Sequence, residues 1–104
     1  MITRLWHGYT THENADVYEK LLREEVLPGI HRIAGYLGAE LLRRELPDET
    51  EFITITRFDS LDAIKAFAGE DYEAAVVPAA ARQLLSHFDE RSAHYQSIFR
   101  IPHK

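Results

Sequence analysis

The sequence predicts an α+β fold: four strands in one antiparallel sheet, two helices on one face, in the order β-α-β-β-α-β. Three observations carry the prediction. Residues Phe52-Ile53-Thr54-Ile55-Thr56-Arg57-Phe58 alternate as a strand does and run directly into a capped helix. That strand has large side chains on both faces, Phe52 and Phe58 on one and Ile53 and Ile55 on the other. The chain has 104 residues, enough for one two-layer core and so for a single domain, residues 1–104. So short a chain lacks the helices to cover both faces of a sheet. The second face is expected to be covered by another copy, in a homodimer with stacked sheets.

Ile2 to Thr11 reads as the first strand, rich in β-branched and aromatic residues. Asn14 is the expected helix N-cap, with Asp16 in the first turn to meet the helix dipole. Val17, Leu21, Leu22, Val26 and Leu27 follow at helical spacing until Pro28-Gly29 kinks or ends the helix. Ile30 and Ile33 are placed to continue it for one more turn, and Gly35 is a candidate C-cap. A second strand spans about Tyr36 to Leu46. Pro47-Asp48-Glu49-Thr50 forms a turn, because Pro presets one dihedral and Asp bonds the backbone ahead. After the third strand, Asp59-Ser60 caps a helix from Leu61 to Ala68, which Gly69 ends. Asp71 to Val77 reads as a further helical turn. Pro78 suits the first turn of a helix ending near His87 or Phe88. The last strand runs from about Arg91 to Phe99, and Arg100 to Lys104 is a tail. Two strand-helix-strand units in this order make the split-βαβ, or ferredoxin-like, arrangement. The alternative is a looser α+β sandwich of the same elements.

Composition narrows the function. The net charge is -5, and no Lys/Arg cluster offsets it, so no nucleic-acid surface is expected. Arg43-Arg44, the basic pair on the second strand, reads as a solvated face. There is no cysteine, which excludes disulfides, thiolate catalysis and Cys-ligated metals. No apolar run approaches membrane-spanning length, and no signal-peptide order stands at the N-terminus, so the expected location is the cytoplasm.

The candidate chemical residues are few. His7 is mid-strand, either a base or anion holder, since imidazole titrates near neutrality, or simply a hydrogen-bonded strand residue. His94 and Tyr95 occupy the middle of the last strand, a neighbour of the first in this topology. His7 and His94 would lie side by side if register and faces agree. Two histidines without a third ligand make no metal site. Tyr72, between the helices, is placed to form a lid or is a surface tyrosine. Arg57 ends the third strand, where it holds an anion or pairs with Glu. Phe67 reads as core. His12, His31 and His103 receive no role. No phosphate loop or nucleotide fingerprint is present, so no cofactor is expected. A pocket is expected between helices and sheet, lined by apolar side chains and one or two of His7, Tyr72, His94 and Tyr95.

Thr56-Arg57-Phe58-Asp59, with Ser60, Ala63, Ile64 and Phe67 after it, resembles the dimeric α/β-barrel superfamily. Within it the chain is most similar to the small antibiotic-biosynthesis-monooxygenase-like proteins. Trp6-His7-Gly8, Gly35-Tyr36-Leu37-Gly38 and His94-Tyr95 add to the likeness. The resemblance implies a homodimer and a cofactor-independent monooxygenase acting on an aromatic or polyketide-like molecule, whose anion reacts with oxygen directly. For such an activity the candidate catalytic residues are His7, His94, Tyr95 and Tyr72, and the candidate substrate contacts are Trp6, Phe67 and Arg57. Two alternatives remain: a non-catalytic dimer that binds a small molecule or supports another enzyme, and haem handling. The haem-degrading pattern uses an Asn on the first strand and a Trp in the second helix. Here the only Asn is Asn14, the only Trp is Trp6, and Phe67 stands roughly where the helix Trp would.

Overall fold

One strand, β1 (Ile2–Thr10), organises the sheet. In the computed structural model, which describes residues 1–102, β1 pairs antiparallel with β3 (Thr50–Phe58) along its whole length. Beyond β3 lies β2 (Tyr36–Glu45), also antiparallel. The other edge of β1 is shared by β4 (Leu85–Phe88) and β5 (Ala93–Gln96). The sheet order is therefore β2-β3-β1-β4, with β5 continuing the β4 edge. The ferredoxin-like arrangement holds, but its last strand is in two pieces.

The break has a visible cause. Gly8 pairs with Phe88 and Leu5 pairs with Ala93, so residues 89–92 stand opposite only Trp6 and His7. The displaced residues bond elsewhere. Ser92 N–H donates to Glu73 O, and Ala75 N–H donates to Glu90 O. The expected helical turn at Asp71 to Val77 shrinks to one hydrogen-bonded turn, Ala74 N–H to Asp71 O at 3.0 Å; from Ala74 onward the segment is drawn out against residues 90–92 by an Ala74–Arg91 bridge. The helix begun after Pro78 is α4 (Ala79–Leu84), and it stops short of His87 because Leu85 to Phe88 pair with β1 instead. Residues 97–102 are irregular, so the last strand does not reach Phe99.

Helix α1 (His12–Leu21) is capped by Thr11, whose hydroxyl accepts from Asn14 N–H; Asn14 is thus inside the helix and Asp16 beyond its first turn. The buried face is Ala15, Tyr18 and Leu22, while Val17 is exposed. The helix passes through a π turn at Leu22–Val26 before α2 (Leu27–Ile30), with Leu27 N–H reaching back to Leu22 O. Pro28 has no N–H to give, and a wider turn just ahead of it lets the chain continue without breaking. Helix α3 (Leu61–Ala68) matches expectation: Ser60 Oγ accepts from Ala63 N–H, and Gly69 ends it at φ 92°.

All the helices contact one side of the sheet. Phe52 and Phe58 point into it, each fully buried, contributing about 1.5–3 kcal/mol apiece. Phe52 packs with Tyr18, Leu22 and Ala81, and Phe58 with Ile30, Ala63 and Ile64. Arg43 and Arg44 are ion-paired, not merely solvated. Arg43 ties β2 to Asp16 and Glu19 of α1, and Arg44 pairs with Glu51. Leu5, Ile53 and Ile55 point to the other side, which no element of the chain covers.

Candidate functional site

Strand alternation sorts β1 into two sets. Arg4, Trp6, Gly8 and Thr10 face the helices; Thr3, Leu5, His7 and Tyr9 face the open side. Between the helices and Trp6 lies a cavity of about 60 Å³, room for a few waters. Val26, Ile30, Phe67, Val76 and Pro78 line it and also line a larger apolar groove of about 460 Å³ on the outer surface. Gly8 makes the floor possible: a Cβ there would sit 2.9 Å from the Trp6 ring.

The cavity is apolar apart from Arg4, Thr54, Thr56 and Ser92. Arg4 is 4% exposed and mid-strand. Its guanidinium donates to Tyr72 O at 2.5 Å, to Ala74 O at 2.9 Å and to His94 Nε2 at 3.0 Å, and lies over the Phe67 ring. No carboxylate among the described residues pairs with it, and burial alone lowers its pKa to about 10. It stays charged near neutrality in a place where an unpaired charge is costly. Five N–H groups with three protein acceptors leave two without a protein partner. Thr54 Oγ1 and Ser92 Oγ are likewise buried without partners.

His94 stands behind Arg4 and does not line the cavity. Because Arg4 can only donate, Nε2 must accept, and the ring proton sits on Nδ1, which is buried and unpartnered. Burial first, and the Arg4 charge second, lower its pKa, so the ring is neutral at pH 7. Tyr72 packs edge-on against His94 at 5.2 Å and offers Arg4 its backbone carbonyl.

Among the sequence candidates, Trp6 and Phe67 line the cavity. Tyr72 and His94 stand one layer behind it. His7, Tyr95 and Arg57 lie on the opposite, open face, so His7 and His94 do not sit side by side. His7 Nδ1 is 3.0 Å from Asp89 Oδ2, and Arg57 lies 3.9 Å from Glu40. None of the four residues expected to supply polar lining supplies it. Arg4, which does, was missed, although its position two residues before Trp6 puts both on one face. His103 lies outside the described residues. Among the described residues, no group of three or more His, Cys, Asp or Glu is placed to hold a metal ion, and no helix is long and apolar enough to cross a membrane.

The family model for antibiotic biosynthesis monooxygenase matches residues 1–97. No curated protein matches the sequence. Among solved structures the chain is similar to SnoaB, a cofactor-independent oxygenase from Streptomyces nogalater, at 17% identity, 98% coverage of each chain and TM-score 0.65. It is similar to the ActVA-Orf6 monooxygenase of Streptomyces coelicolor in complex with nanaomycin D, at 13% identity, 99% coverage of this chain, 92% of that one and TM-score 0.62. It is also similar to MhuD, a heme-degrader from Mycobacterium tuberculosis with two hemes bound in its active site, at 13% identity, 98% and 100% coverage and TM-score 0.62. At these identities the likeness shows the fold.

Proposed function

The chain belongs to the antibiotic biosynthesis monooxygenase family, and from that premise we propose that it is a small cofactor-independent oxygenase acting on an electron-rich aromatic molecule held between helices and sheet. The observation that carries this reading is Arg4, a buried cation without a carboxylate in a mostly apolar slot whose other polar lining is hydroxyls and the Trp6 indole. A hydroxyaromatic substrate reacts with oxygen through its anion, and a fixed guanidinium in a low-dielectric site favours that anion over the neutral form. Trp6 and Phe67 supply ring faces against which a flat substrate packs. His94 and Tyr72 act as positioning residues, since they fix the guanidinium and not the substrate. The 60 Å³ cavity is small for a polycyclic molecule, so the substrate extends into the adjoining groove.

His7, Tyr95 and Arg57 belong, on this reading, to the contact with a second copy. Leu5, Ile53, Ile55 and Leu42 share that open face, and stacking two such faces buries on the order of 1,000–2,000 Å². Haem does not fit. Among the described residues, no His, Cys, Tyr or Met lines the cavity to ligate iron.

Oxygen uptake tests the proposal. With hydroxylated polycyclic aromatics, a chelator, and no added flavin or haem, the purified protein should consume oxygen. Arg4→Gln should lower kcat/KM by roughly 10–100-fold, the usual worth of a charge-assisted hydrogen bond. A second reading, a binding protein without turnover, draws on the lack, among the described residues, of any Asp, Glu, His, Lys or Tyr lining the cavity. Tight binding with no uptake across the panel would favour it.

A further inference from the structure

We propose that the cavity takes its aromatic ligand as an anion already formed in solution, an acidic phenol or enol, and that Arg4 imposes this selection. The inference deepens the oxygenase reading and shares its site. It rests on what surrounds the cation. Among the described residues, no side chain lining the cavity can remove a proton near neutrality: the polar ones are Arg4, Thr54, Thr56, Ser92 and the indole of Trp6. The nearest imidazole is spoken for, because His94 Nε2 accepts from Arg4 and its other nitrogen carries the proton. A neutral phenol seated beside Arg4 meets no base; the Glu25 carboxylate lines the adjoining outer groove and not the cavity.

The titratable and charged groups around Arg4 all point to the same result. From β5 it faces His94, neutral at pH 7. From the segment joining α3 to α4 it faces the carbonyls of Tyr72 and Ala74, and the Glu73 carboxylate there is turned to Arg91 at 3.4 Å. From β3 it meets Thr56, and from α3 the Phe67 ring. None of these brings a carboxylate into contact with the guanidinium, and the one carboxylate in the set, Glu73, is held by Arg91. Two guanidinium N–H groups and the unpartnered hydroxyls of Thr54 and Ser92 are the donors left for a ligand. A phenolate oxygen accepts several such bonds, whereas a neutral ether or phenol oxygen accepts fewer and more weakly. The chain's net charge of -5 works against anions at long range, so the selection is local to this pocket.

Trp6 is the single tryptophan and lines the cavity, so its fluorescence reports occupancy. The wild-type protein is titrated with 4-nitrophenol and with its neutral isostere 4-nitroanisole, and the ionisation of bound nitrophenol is followed by its visible absorbance. The expected result is quenching by 4-nitrophenol with a Kd at least roughly tenfold below that of 4-nitroanisole. The pKa of the bound dye should fall. In Arg4→Gln the preference should vanish. Should that variant fail to fold, the two wild-type measurements decide alone. Equal binding of the two ligands overturns the inference, and the oxygen-uptake assay then decides the oxygenase reading by itself. A bound dye whose pKa rises overturns it as well. Quenching by neither ligand removes both the inference and the site. Selective quenching without oxygen uptake from any aromatic substrate upholds the inference and removes the oxygenase reading.

Discussion

Arg4 was hidden by its residue type. A charged side chain mid-strand reads as solvent-facing, and only pairing with β3 and β5 shows that it points inward with Trp6. The sequence pattern places His7 and His94 mid-strand correctly, yet their faces depend on register, which a one-residue slip would invert. His94 carries a testable consequence. Its folded pKa is lowered, so below the unfolded value of 6.5 the unfolded chain binds more protons and stability falls with pH. An NMR titration of the wild-type should give His94 a midpoint below 6.5 with the proton on Nδ1, and His94→Phe should lose this part of the acid sensitivity. Gly35 is demanding in another way. At φ 90° its Cβ would lie 2.4 Å from Asp59 Oδ1 and 2.7 Å from Ala63 Cβ. Gly35→Ala should cost about 1–3 kcal/mol in urea denaturation, and an unchanged midpoint would refute the strain.

At the scale of elements, those with explicit start and stop signals were legible. β3, the Ser60 cap, α3 and Gly69 fall where their residues put them. Ala79 to Leu85 has no stop signal, so a run of good helix formers conceals the point where strand pairing with β1 takes over at Leu85. The β2–β3 hairpin shows a clasp that local pattern does not reveal. When protonated, His12 donates from one nitrogen to Glu45 at 3.0 Å and from the other to Pro47 O at 3.3 Å, while Thr50 Oγ1 donates to Glu45 at 2.5 Å. The Pro47 carbonyl, then Glu45, raise the His12 pKa above 6.5. Thr50, then Arg43, hold Glu45 at about 2 against an ordinary 4.5. The His12 contribution is full below 6.5 and disappears as pH rises through its raised value; that of Glu45 is full above 4.5 and disappears as pH falls toward about 2. Protection factors of the hairpin amides, corrected for base-catalysed intrinsic exchange, should therefore fall above neutrality in the wild-type, and His12→Gln should remove that fall. An identical pH trend in the variant would exclude the clasp.

Across the whole molecule, the two-sided character of β3 gave the strongest hint of assembly. Its Phe residues are used up by the helices, and Ile53 and Ile55 are left facing outward beside Leu42 and Leu5. Light scattering at micromolar concentration should give twice the chain mass. Ile55→Lys places a charge at the centre of this face and should shift the protein to monomers while leaving the helix-side cavity intact, as judged by unchanged Trp6 fluorescence. A dimer that tolerates Ile55→Lys would mean that copies meet elsewhere.

The divided edge of β1 also sets an order of events during synthesis. Trp6 bonds to Asp89, 83 residues further along the chain, and Thr3 to Ser97, 94 residues along. On the ribosome, β1 can pair with β3 well before β4 and β5 emerge, so the nascent sheet waits with one bare edge, an apolar open face and no finished pocket. Such distant pairings also slow folding in free solution. A chain halted at Leu84 should therefore bind hydrophobic dyes and sediment as aggregate, whereas the complete chain, diluted from denaturant, should recover its single Trp6 environment in one slow phase.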